Sequence, residues 1–278
     1  MREDLAVATD TLARAGVETP RADAEWLLAG LLGVGRASLA VGLDAQLDAE
    51  TARRYDAAVH RRARREPLQQ ILGWEAFRGL RVRVTPDVLV PRPETEMLVQ
   101  WALELVPRPG LVVDVGTGSG CIACAVATER PGARVIAVER SPAAAAVAAA
   151  NAVALGLAVR VSIVVGDLLA PLAGGRADLI VANLPYLPTS TFELLSPEVT
   201  EHEPRLALDG GPDGLVEIRR LVAAAPSRLV GGGVLVMETA GGTQASAVVA
   251  LMRAAGFTEV ATCEDLPGVQ RFVAGRCR

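Results

Sequence analysis

The chain has 278 residues, of which 51% are hydrophobic and 22% are charged, and its formal net charge is −4. This composition is typical of a globular protein with room for one large domain or two modest ones. The isoelectric point of about 5.4 argues against broad binding to nucleic-acid phosphates, because such binding requires a basic face.

The sequence contains no lysine, which excludes a Walker A lysine, a Schiff base and a lysine general base. The N-terminus carries acidic residues and no unbroken apolar run, so no signal peptide is expected. Apolar stretches are interrupted before they reach the length of a membrane span. With two histidines in the chain, we assign no metal site. The expected location is the cytoplasm.

Residues 1–72 show helical periodicity and no alternation at period two, which predicts a small helical bundle. Thr19 and Pro20 are predicted to be the N-cap and the first residue of a helix. Asp48 is expected to open a third helical segment that runs to Arg65. The densest basic cluster, residues 61–65, is interpreted as a solvated helix end, with contact to a partner as the alternative.

The pattern changes at Trp74. Residues 77–84 alternate apolar and basic side chains around a glycine, which predicts a β-hairpin. Residues 88–90 are predicted to form a strand that Pro91 ends. We therefore predict a helical domain over residues 1–72, a β-hairpin linker over residues 73–90 and a third region over residues 91–278.

From Pro91 onward, predicted strands and helices alternate. Strands are expected at 111–115, 134–138, 159–165, 178–182 and 233–237, with helices at 142–155 and 212–227. Continuous apolar strands separated by helices indicate a parallel sheet that is covered on both faces. Two further strands, 258–263 and 270–274, are joined by a short turn, so the last strand is expected to pair antiparallel at the edge.

A glycine-rich segment, residues 114–120 (Asp-Val-Gly-Thr-Gly-Ser-Gly), follows the first of these strands and opens a helix. Glycines allow a tight turn and a close approach to a ligand, and the helix N-terminus favours negative charge. Glu139 ends the next strand, where an acid can accept both hydroxyls of an adenosine ribose. NAD and S-adenosylmethionine both fit these features. Cys121 and Cys124, which follow the loop, are predicted to be small buried packing residues.

Three details favour S-adenosylmethionine. Asp114 precedes the first glycine by two residues, where it can reach a cationic amine. Asp167 follows the third strand and can accept from an adenine amino group while Leu168 covers the ring, although a helix N-cap is the alternative role for Asp167. Residues 183–186 (Asn-Leu-Pro-Tyr) end the fourth strand at the same carboxyl edge.

The segment 183–186 is suited to hold a planar NH2 group. The Asn183 amide oxygen can accept one N–H and a nearby main-chain carbonyl can accept the other, while Tyr186 can stack on the flat face. Together with the antiparallel last strand, this clamp favours a methyltransferase sheet over that of a nicotinamide dehydrogenase.

With these residues in place, the chain resembles the peptide-chain release factor glutamine methyltransferases, the HemK/PrmC family, over essentially its full length. The similar stretches are residues 67–73, 84–96, 116–120 and 203–211. The resemblance implies a class I S-adenosylmethionine-dependent methyltransferase of the α/β class. Its Rossmann-like sheet would have seven strands with an antiparallel last strand, preceded by an N-terminal helical bundle and a β-hairpin linker.

The resemblance also implies a function. The helical domain would recognise class I release factors without requiring the ribosome, and the C-terminal domain would methylate the side-chain amide nitrogen of the glutamine in a Gly-Gly-Gln loop. Neither membrane binding nor a stable complex with duplex nucleic acid is expected. For the basic cluster 61–65, the partner in the alternative interpretation is the release factor or ribosomal RNA.

The expected site has three parts. Catalysis is assigned to Asn183, Pro185 and Tyr186. Cofactor binding is assigned to Asp114, Gly116, Thr117, Gly118, Ser119, Gly120, Glu139, Asp167, Leu168 and Asn183. Substrate binding is assigned to Asn183, Leu184, Pro185, Tyr186, Arg92 and Pro93.

The chain departs from the family pattern at two places. Leu184 stands where the family usually has proline, but the clamp uses position 184 through its carbonyl, which leucine retains. Residues 238–241 (Glu-Thr-Ala-Gly) also differ from the usual Glu-Ile-Gly form. Two alternative functions remain at this stage: an adenine N6-methyltransferase acting on DNA or RNA, and a non-catalytic scaffold that binds S-adenosylmethionine.

Overall fold

The computed structural model describes residues 1–39, 45–172 and 174–278. These residues fall into two compact units. The first unit comprises Met1–Trp74 and Ser196–His202, and the second comprises Glu75–Leu195 and Glu203–Arg278.

The first unit is helical, as predicted. Its elements are α1 (Arg2–Arg14), α2 (Pro20–Leu32), a 3-10 turn (Arg36–Ser38), α3 (Ala49–Ala63), α4 (Leu68–Leu72) and, from later in the chain, α8 (Pro197–His202). Leucines from α1 and α2 form its core. Tyr55 of α3 is buried in that core, and its hydroxyl donates to the Ala24 carbonyl at 3.0 Å.

The predicted helix starts in this unit are confirmed in position. Asp48 caps α3, because its carboxylate accepts the backbone N–H groups of Glu50 and Thr51. Pro20 is the first residue of α2. The hydroxyl of Thr19, however, donates to the Asp23 carboxylate at 2.8 Å and does not cap the helix.

The basic cluster 61–65 is more than a solvated helix end, so that interpretation is wrong for part of it. Arg62 is buried and pairs with Asp23 at 2.7 Å and with Glu198 of α8 at 2.9 Å. Arg65 also binds Glu198, at 2.7 Å. Burial opposes the charge on Glu198, but hydrogen bonds from the two arginines lower its pKa to about 2. Because the pKa of Glu198 lies below its unfolded value of 4.5, these two guanidinium groups stabilise the first unit above about pH 4.5.

The predicted hairpin consists of β1 (Trp74–Phe77) and β2 (Leu80–Arg83). The strand predicted at residues 88–90 is wrong. Its backbone takes no strand hydrogen bonds, because the Val90 N–H donates to the Glu203 carboxylate at 3.0 Å instead. Val88 and Val90 are nevertheless buried, packed against Val147 of a later helix.

The second unit contains a seven-stranded sheet among the described residues. Its strands are β3 (Leu111–Val115), β4 (Arg134–Glu139), β5 (Val161–Val165), β6 (Ala177–Ala182), β7 (Leu229–Glu238), β8 (Thr258–Glu264) and β9 (Gln270–Arg276). Their order is β5-β4-β3-β6-β7-β9-β8. β3 to β7 are parallel, and β9 pairs antiparallel with both β7 and β8, as predicted.

Helices cover the sheet on both faces. They are α5 (Pro93–Leu105), α6 (Cys121–Glu129), α7 (Pro142–Ala154), α9 (Val216–Ala224) and α10 (Gly242–Ala254). α5 and α10 were not among the predicted elements. The helix predicted over residues 212–227 begins only at Val216, because Gly214 takes a left-handed conformation and Asp213 accepts the Leu215 N–H in a turn.

Successive strand residues face opposite sides of the sheet and create two cores. Val112 and Leu179 belong to one core, whereas Val113 and Ile180 belong to the other. Cys121 and Cys124 are buried in the first core, and burial raises both thiol pKa values to about 12. Both cysteines are therefore packing residues, as predicted.

Asn151 of α7 joins the hairpin to the glycine-rich loop. Its amide oxygen accepts the Arg83 N–H at 2.8 Å, and its amide nitrogen donates to the carbonyls of Arg83 and Ser119. Asn151 is buried, so a substitution that removed the amide would leave the Arg83 N–H and the carbonyls of Arg83 and Ser119 without this hydrogen-bond partner.

We expect Asn151→Asp to destabilise the second unit by about 3 kcal/mol or more, because it removes two donors and places a carboxylate against two carbonyl oxygens. Urea unfolding followed by circular dichroism measures this loss. Ala146→Asp adds the same charge to the exposed side of α7 and is the control, with an expected change within about 0.5 kcal/mol. Equal losses in the two variants would contradict the role of the amide.

Candidate active site

The sheet brings five chemically useful strand ends to one edge. Asp167, Glu139, Gly116, Asn183 and Glu238 follow or end the neighbouring strands β5, β4, β3, β6 and β7. The register aligns the final residues of β3 and β6, Val115 and Ala182, with Met237, which is the residue before the end of β7. Ligands bind at this carboxyl edge in open α/β sheets, next to the point where the strand order reverses.

A cavity of about 170 Å³ opens at this edge within the second unit. Predicted site residues supply part of its wall: Gly116, Gly118, Glu139, Asp167, Leu168, Asn183, Leu184 and Pro185. The remaining wall includes segments that we had not assigned to the site, among them Asp87, Val88, Leu89, Pro204, Leu206 and Asp209. Both segments lie inside the stretches that carry the family resemblance.

The glycine-rich loop bends tightly between β3 and α6. The backbone N–H groups of Gly116 and Thr117 donate to the Val138 carbonyl, and Gly116 and Gly118 take left-handed conformations. A Cβ on Gly120 would lie 3.1 Å from the Ala148 Cβ. Thr117, Ser119 and Gly120 do not line the cavity; Thr117 and Ser119 are buried. Of the predicted loop residues, Gly116 and Gly118 therefore form part of the cavity wall, and Thr117, Ser119 and Gly120 lie behind it.

Asp114 is fully buried and does not line the cavity. One of its oxygens, Oδ2, accepts from the Thr117 hydroxyl and the Ala123 N–H. The other, Oδ1, has no hydrogen-bond partner in the described part of the chain. Burial raises the pKa of this carboxyl to about 7. A buried carboxyl with an open acceptor fits the cationic amine of an amino-acid ligand.

Glu139 is held by the backbone and still has acceptor capacity. Its two oxygens accept the N–H groups of Gly118 and Ser141 at 2.9 and 2.8 Å. Each carboxylate oxygen can accept a second hydrogen bond. Because Glu139 lines the cavity, it fits the two hydroxyls of a ribose.

Asp167 is not a helix N-cap, so that alternative is wrong. Among the described residues, no helix begins between Asp167 and β6, and the Asp167 carbonyl accepts the Ala170 N–H in a turn. Its carboxylate accepts two hydrogen bonds from Arg220, which lower its pKa. Leu168 takes a left-handed conformation beside it and lines the cavity. An ionised acid and an apolar side chain therefore stand together on the cavity wall.

The segment 183–187 is supported from below by residues 208–214. The Leu187 N–H donates to the Leu208 carbonyl at 3.0 Å, and the Gly210 N–H donates to the Leu187 carbonyl at 2.8 Å. A Cβ on Gly214 would lie 2.1 Å from the Tyr186 carbonyl oxygen. That contact is far shorter than a Cβ can make, so glycine is required at position 214.

Leu184 occupies the space between the clamp and the glycine-rich loop. Its side chain is buried, and one of its methyl carbons lies 3.0 Å from the position that a Cβ on Gly116 would take. The departure from proline therefore adds apolar packing at the point where the two loops meet.

Asn183 and Tyr186 are linked through two residues that sequence reasoning missed. The Asn183 amide nitrogen lies 3.0 Å from the Thr95 hydroxyl oxygen, and that hydroxyl donates to Glu238 at 2.8 Å. The Tyr186 hydroxyl donates to the other Glu238 oxygen at 3.3 Å. Burial raises the pKa of Glu238 to about 7. It also raises the pKa of the Tyr186 hydroxyl. Glu238 ends an apolar strand, and this position could have identified it as a site residue from the sequence.

Arg92 and Pro93 lie outside the cavity wall. The Arg92 guanidinium pairs with Glu203 at 2.5 Å, and Pro93 is the first residue of α5. Tyr186 does not line the cavity either. The assignment of Arg92 and Pro93 to substrate binding stays a prediction.

Across the described ranges, no cluster of three or more His, Cys, Asp or Glu side chains is arranged to hold a metal ion. Among the helices of the described residues, none is both long and apolar enough to cross a membrane.

The glycine at position 214 can be tested against a matched control. Gly214 and Gly232 both have left-handed φ angles, 73° and 81°, but a Cβ on Gly232 would meet nothing within 4 Å. We expect Gly232→Ala to cost about 1 kcal/mol from backbone strain alone. Gly214→Ala should cost at least about 2 kcal/mol more and should speed proteolysis within residues 183–195. Equal unfolding free energies in urea would contradict this support.

Two family models match the chain. The PrmC N-terminal domain matches residues 3–73, and the methyltransferase small domain matches residues 93–196. The release factor glutamine methyltransferase of Geobacter sulfurreducens is 48% identical and covers 95% of this chain and 92% of its own. The protein of the same name from Mycolicibacterium smegmatis is 44% identical and covers 98% of this chain and 96% of its own.

Solved structures agree on the fold. A methyltransferase from Pyrococcus furiosus superposes with a TM-score of 0.57 at 19% identity, covering 78% of this chain and 98% of that one. The hMettl16 catalytic domain superposes with a TM-score of 0.58 at 16% identity, covering 82% and 81%. The predicted class I methyltransferase fold is confirmed. The chain belongs to the release factor glutamine methyltransferase family of S-adenosylmethionine-dependent enzymes.

Proposed function

We propose that this protein transfers a methyl group from S-adenosylmethionine to the side-chain amide nitrogen of the glutamine in the Gly-Gly-Gln motif of class I release factors. The observation that carries this proposal is the position of Asn183, which lines the cavity beside the glycine-rich loop with its amide nitrogen already bound to Thr95. The curated relatives that match nearly the whole chain carry the name of this activity.

The cofactor would bind along the cavity wall. On that wall, Glu139 would accept from its ribose hydroxyls, and Asp167 with Leu168 would hold its adenine. Asp114 lies behind the wall, and its open oxygen would reach the amine through a water. S-adenosylmethionine supplies an electrophilic methyl group on a sulfonium. Arg220 holds Asp167 ionised in a fixed place for the adenine amino group.

The glutamine amide would be held by the segment 183–186. The Asn183 Oδ1 and the Leu184 carbonyl would accept its two N–H groups, and Tyr186 would pack on its plane. Pro185 restricts Leu184 to an extended backbone, which keeps the carbonyl at position 184 directed to the acceptor. Gly214 and Gly210 support this backbone from below.

An amide nitrogen is a weak nucleophile, because its lone pair is delocalised into the carbonyl. In the transfer, the nitrogen forms a bond to the methyl carbon as the carbon–sulfur bond breaks, and one amide proton leaves to water. The two acceptors favour a nitrogen that becomes more positive in the transition state. Catalysis therefore rests on positioning and on these oxygen dipoles, without a covalent enzyme intermediate.

Recognition of the release factor is assigned to the helical part of the chain. We propose a substrate-recognition domain over residues 1–72, a hairpin linker over residues 73–90 and a methyltransferase domain over residues 91–278. Binding needs the release factor alone, without the ribosome, and the proposed location is the cytoplasm.

The function is tested by incubating the protein with methyl-labelled S-adenosylmethionine and either a purified release factor or a DNA oligonucleotide. We expect one added methyl group on the release factor, placed by tandem mass spectrometry on the glutamine of the Gly-Gly-Gln motif. A release factor in which that glutamine is replaced by glutamate is the matched control. Label on the oligonucleotide alone, or on the control protein, would overturn the proposal.

Asn183→Ala should lower kcat on the release factor about a hundredfold or more, because it removes an acceptor that the transition state needs. The dissociation constant of S-adenosylmethionine should change far less. Tyr186→Phe keeps the ring and loses only the hydroxyl, so its kcat should fall less than tenfold. Steady-state kinetics and calorimetry separate the two quantities, and undiminished turnover by Asn183→Ala would sink the clamp assignment.

Asp114 makes cofactor binding dependent on pH. Its pKa of about 7 means that it gains a proton as the pH falls below about 7, which removes its attraction for the amine. We expect the dissociation constant to rise by up to about tenfold per pH unit in that range. Asp114→Asn should bind more weakly and with a flat profile, whereas the exposed-site control Asp56→Asn should behave as wild type in calorimetry. An Asp114→Asn protein with the wild-type profile would contradict this role.

A further inference from the structure

We propose that Thr95 and Glu238 are positioning residues that orient the Asn183 amide, so that its oxygen and not its nitrogen faces the methyl acceptor. This inference rests on the proposed function. It assigns a direction to each hydrogen bond in the chain from Glu238 through Thr95 to Asn183.

The direction follows from the number of protons available. An ionised carboxylate can only accept, so Glu238 takes the single hydroxyl proton of Thr95 across 2.8 Å. The Thr95 oxygen then has only acceptor capacity for Asn183, which lies 3.0 Å away. Asn183 must therefore turn its NH2 group to Thr95. Its Oδ1 is left for a ligand N–H.

Burial allows these hydrogen bonds to select one orientation of the Asn183 amide. Thr95 is 2% exposed and Glu238 is 1% exposed, so bulk water does not compete for their hydrogen bonds. In a buried site, an amide turned the wrong way would place its oxygen against the Thr95 oxygen with no proton between them. The wrong orientation therefore sets two acceptor oxygens against each other, whereas the observed one gives the Thr95 oxygen a donor and leaves the Asn183 oxygen to the cavity.

The same carboxylate also anchors the second member of the clamp. The Tyr186 hydroxyl donates to Glu238 Oε1, while Thr95 donates to Oε2. Glu238 thus holds both the acceptor oxygen and the stacking ring in place through separate oxygens. The two ends of the segment 183–186 share one support at the end of β7.

Protonation of Glu238 would remove this direction. A neutral carboxyl can donate to Thr95, and the Thr95 hydroxyl can then donate to Asn183 and allow the amide to turn. Burial raises the pKa of Glu238 to about 7, opposed by the Thr95 hydrogen bond, by Arg271 of β9 and by the Tyr186 hydroxyl, while Glu94 of α5 adds to the increase. Turnover should therefore fall as the pH drops through about 7.

The experiment compares Thr95→Val, which removes the hydroxyl at nearly constant shape, with Thr95→Ser, which keeps it. Methylation of a release factor is measured with the dissociation constant of S-adenosylmethionine, and 15N NMR follows hydrogen exchange of the Asn183 side-chain NH2. We expect Thr95→Val to lose about thirtyfold or more in kcat, with cofactor affinity within about threefold. Its Asn183 NH2 should exchange faster than in wild type.

Thr95→Ser should keep kcat within about threefold and should retain the slow exchange. Glu238→Gln should lower kcat and, at saturating S-adenosylmethionine, should abolish the loss of kcat below about pH 7. This profile decides the matter if Thr95→Val does not fold. Equal kcat for Thr95→Val and wild type, or a wild-type pH profile in Glu238→Gln, would overturn the inference. If wild type itself methylates no release factor, the proposed function fails, and the NH2 exchange still tests the orientation.

Discussion

The site depends on the close approach of two backbone segments at the carboxyl edge of the sheet. A Cβ on Gly214 would lie 2.1 Å from the Tyr186 carbonyl oxygen, and one on Gly210 would lie 2.6 Å from the Pro185 carbonyl oxygen. Two glycines therefore allow the segment 183–187 to rest on residues 208–214. The register of β3 and β6 then places Asn183 beside the glycine-rich loop, where Leu184 packs against Gly116. The cavity and the segment 183–186 are neighbours because these backbones touch.

Two buried carboxyls, Asp114 and Glu238, lie at this edge, and the role proposed for each requires its ionised form. Burial raises the pKa of each to about 7, above the value of an unfolded chain. Such a group favours folding when it is protonated, so its contribution is present below about pH 4 and is lost as the pH rises through about 7. Near pH 8 both carboxyls are therefore ionised, and this lowers the free energy of unfolding. The proposed function gives these charges their roles: Asp114 would attract an amine, and Glu238 would direct the Asn183 amide.

Several residues that end or follow apolar strands were predictable, because their position in the sheet follows from local pattern alone. Glu238 ends β7 in the same way but was missed. Asn183 and the acids at positions 139 and 167 were found in this way, and the fold followed from the same alternation. Thr95 was missed because its partners lie 88 and 143 residues further along the chain. The strand expected at residues 88–90 failed for a related reason, since a distant carboxylate, Glu203, takes the Val90 N–H. Local sequence pattern predicts helices and strands. Hydrogen bonds to residues that are distant in the sequence determine the conformation and contacts of the segments between them.

The most direct test of the account is a neutron diffraction structure of the deuterated protein at about pH 8, because neutrons distinguish amide nitrogen from oxygen and locate deuterium. The account predicts two deuterons on the Asn183 atom that faces Thr95, the Thr95 deuteron between its oxygen and Glu238, and no deuteron on the Glu238 carboxylate. An Asn183 oxygen facing Thr95, with the Thr95 deuteron directed to it, would contradict the account.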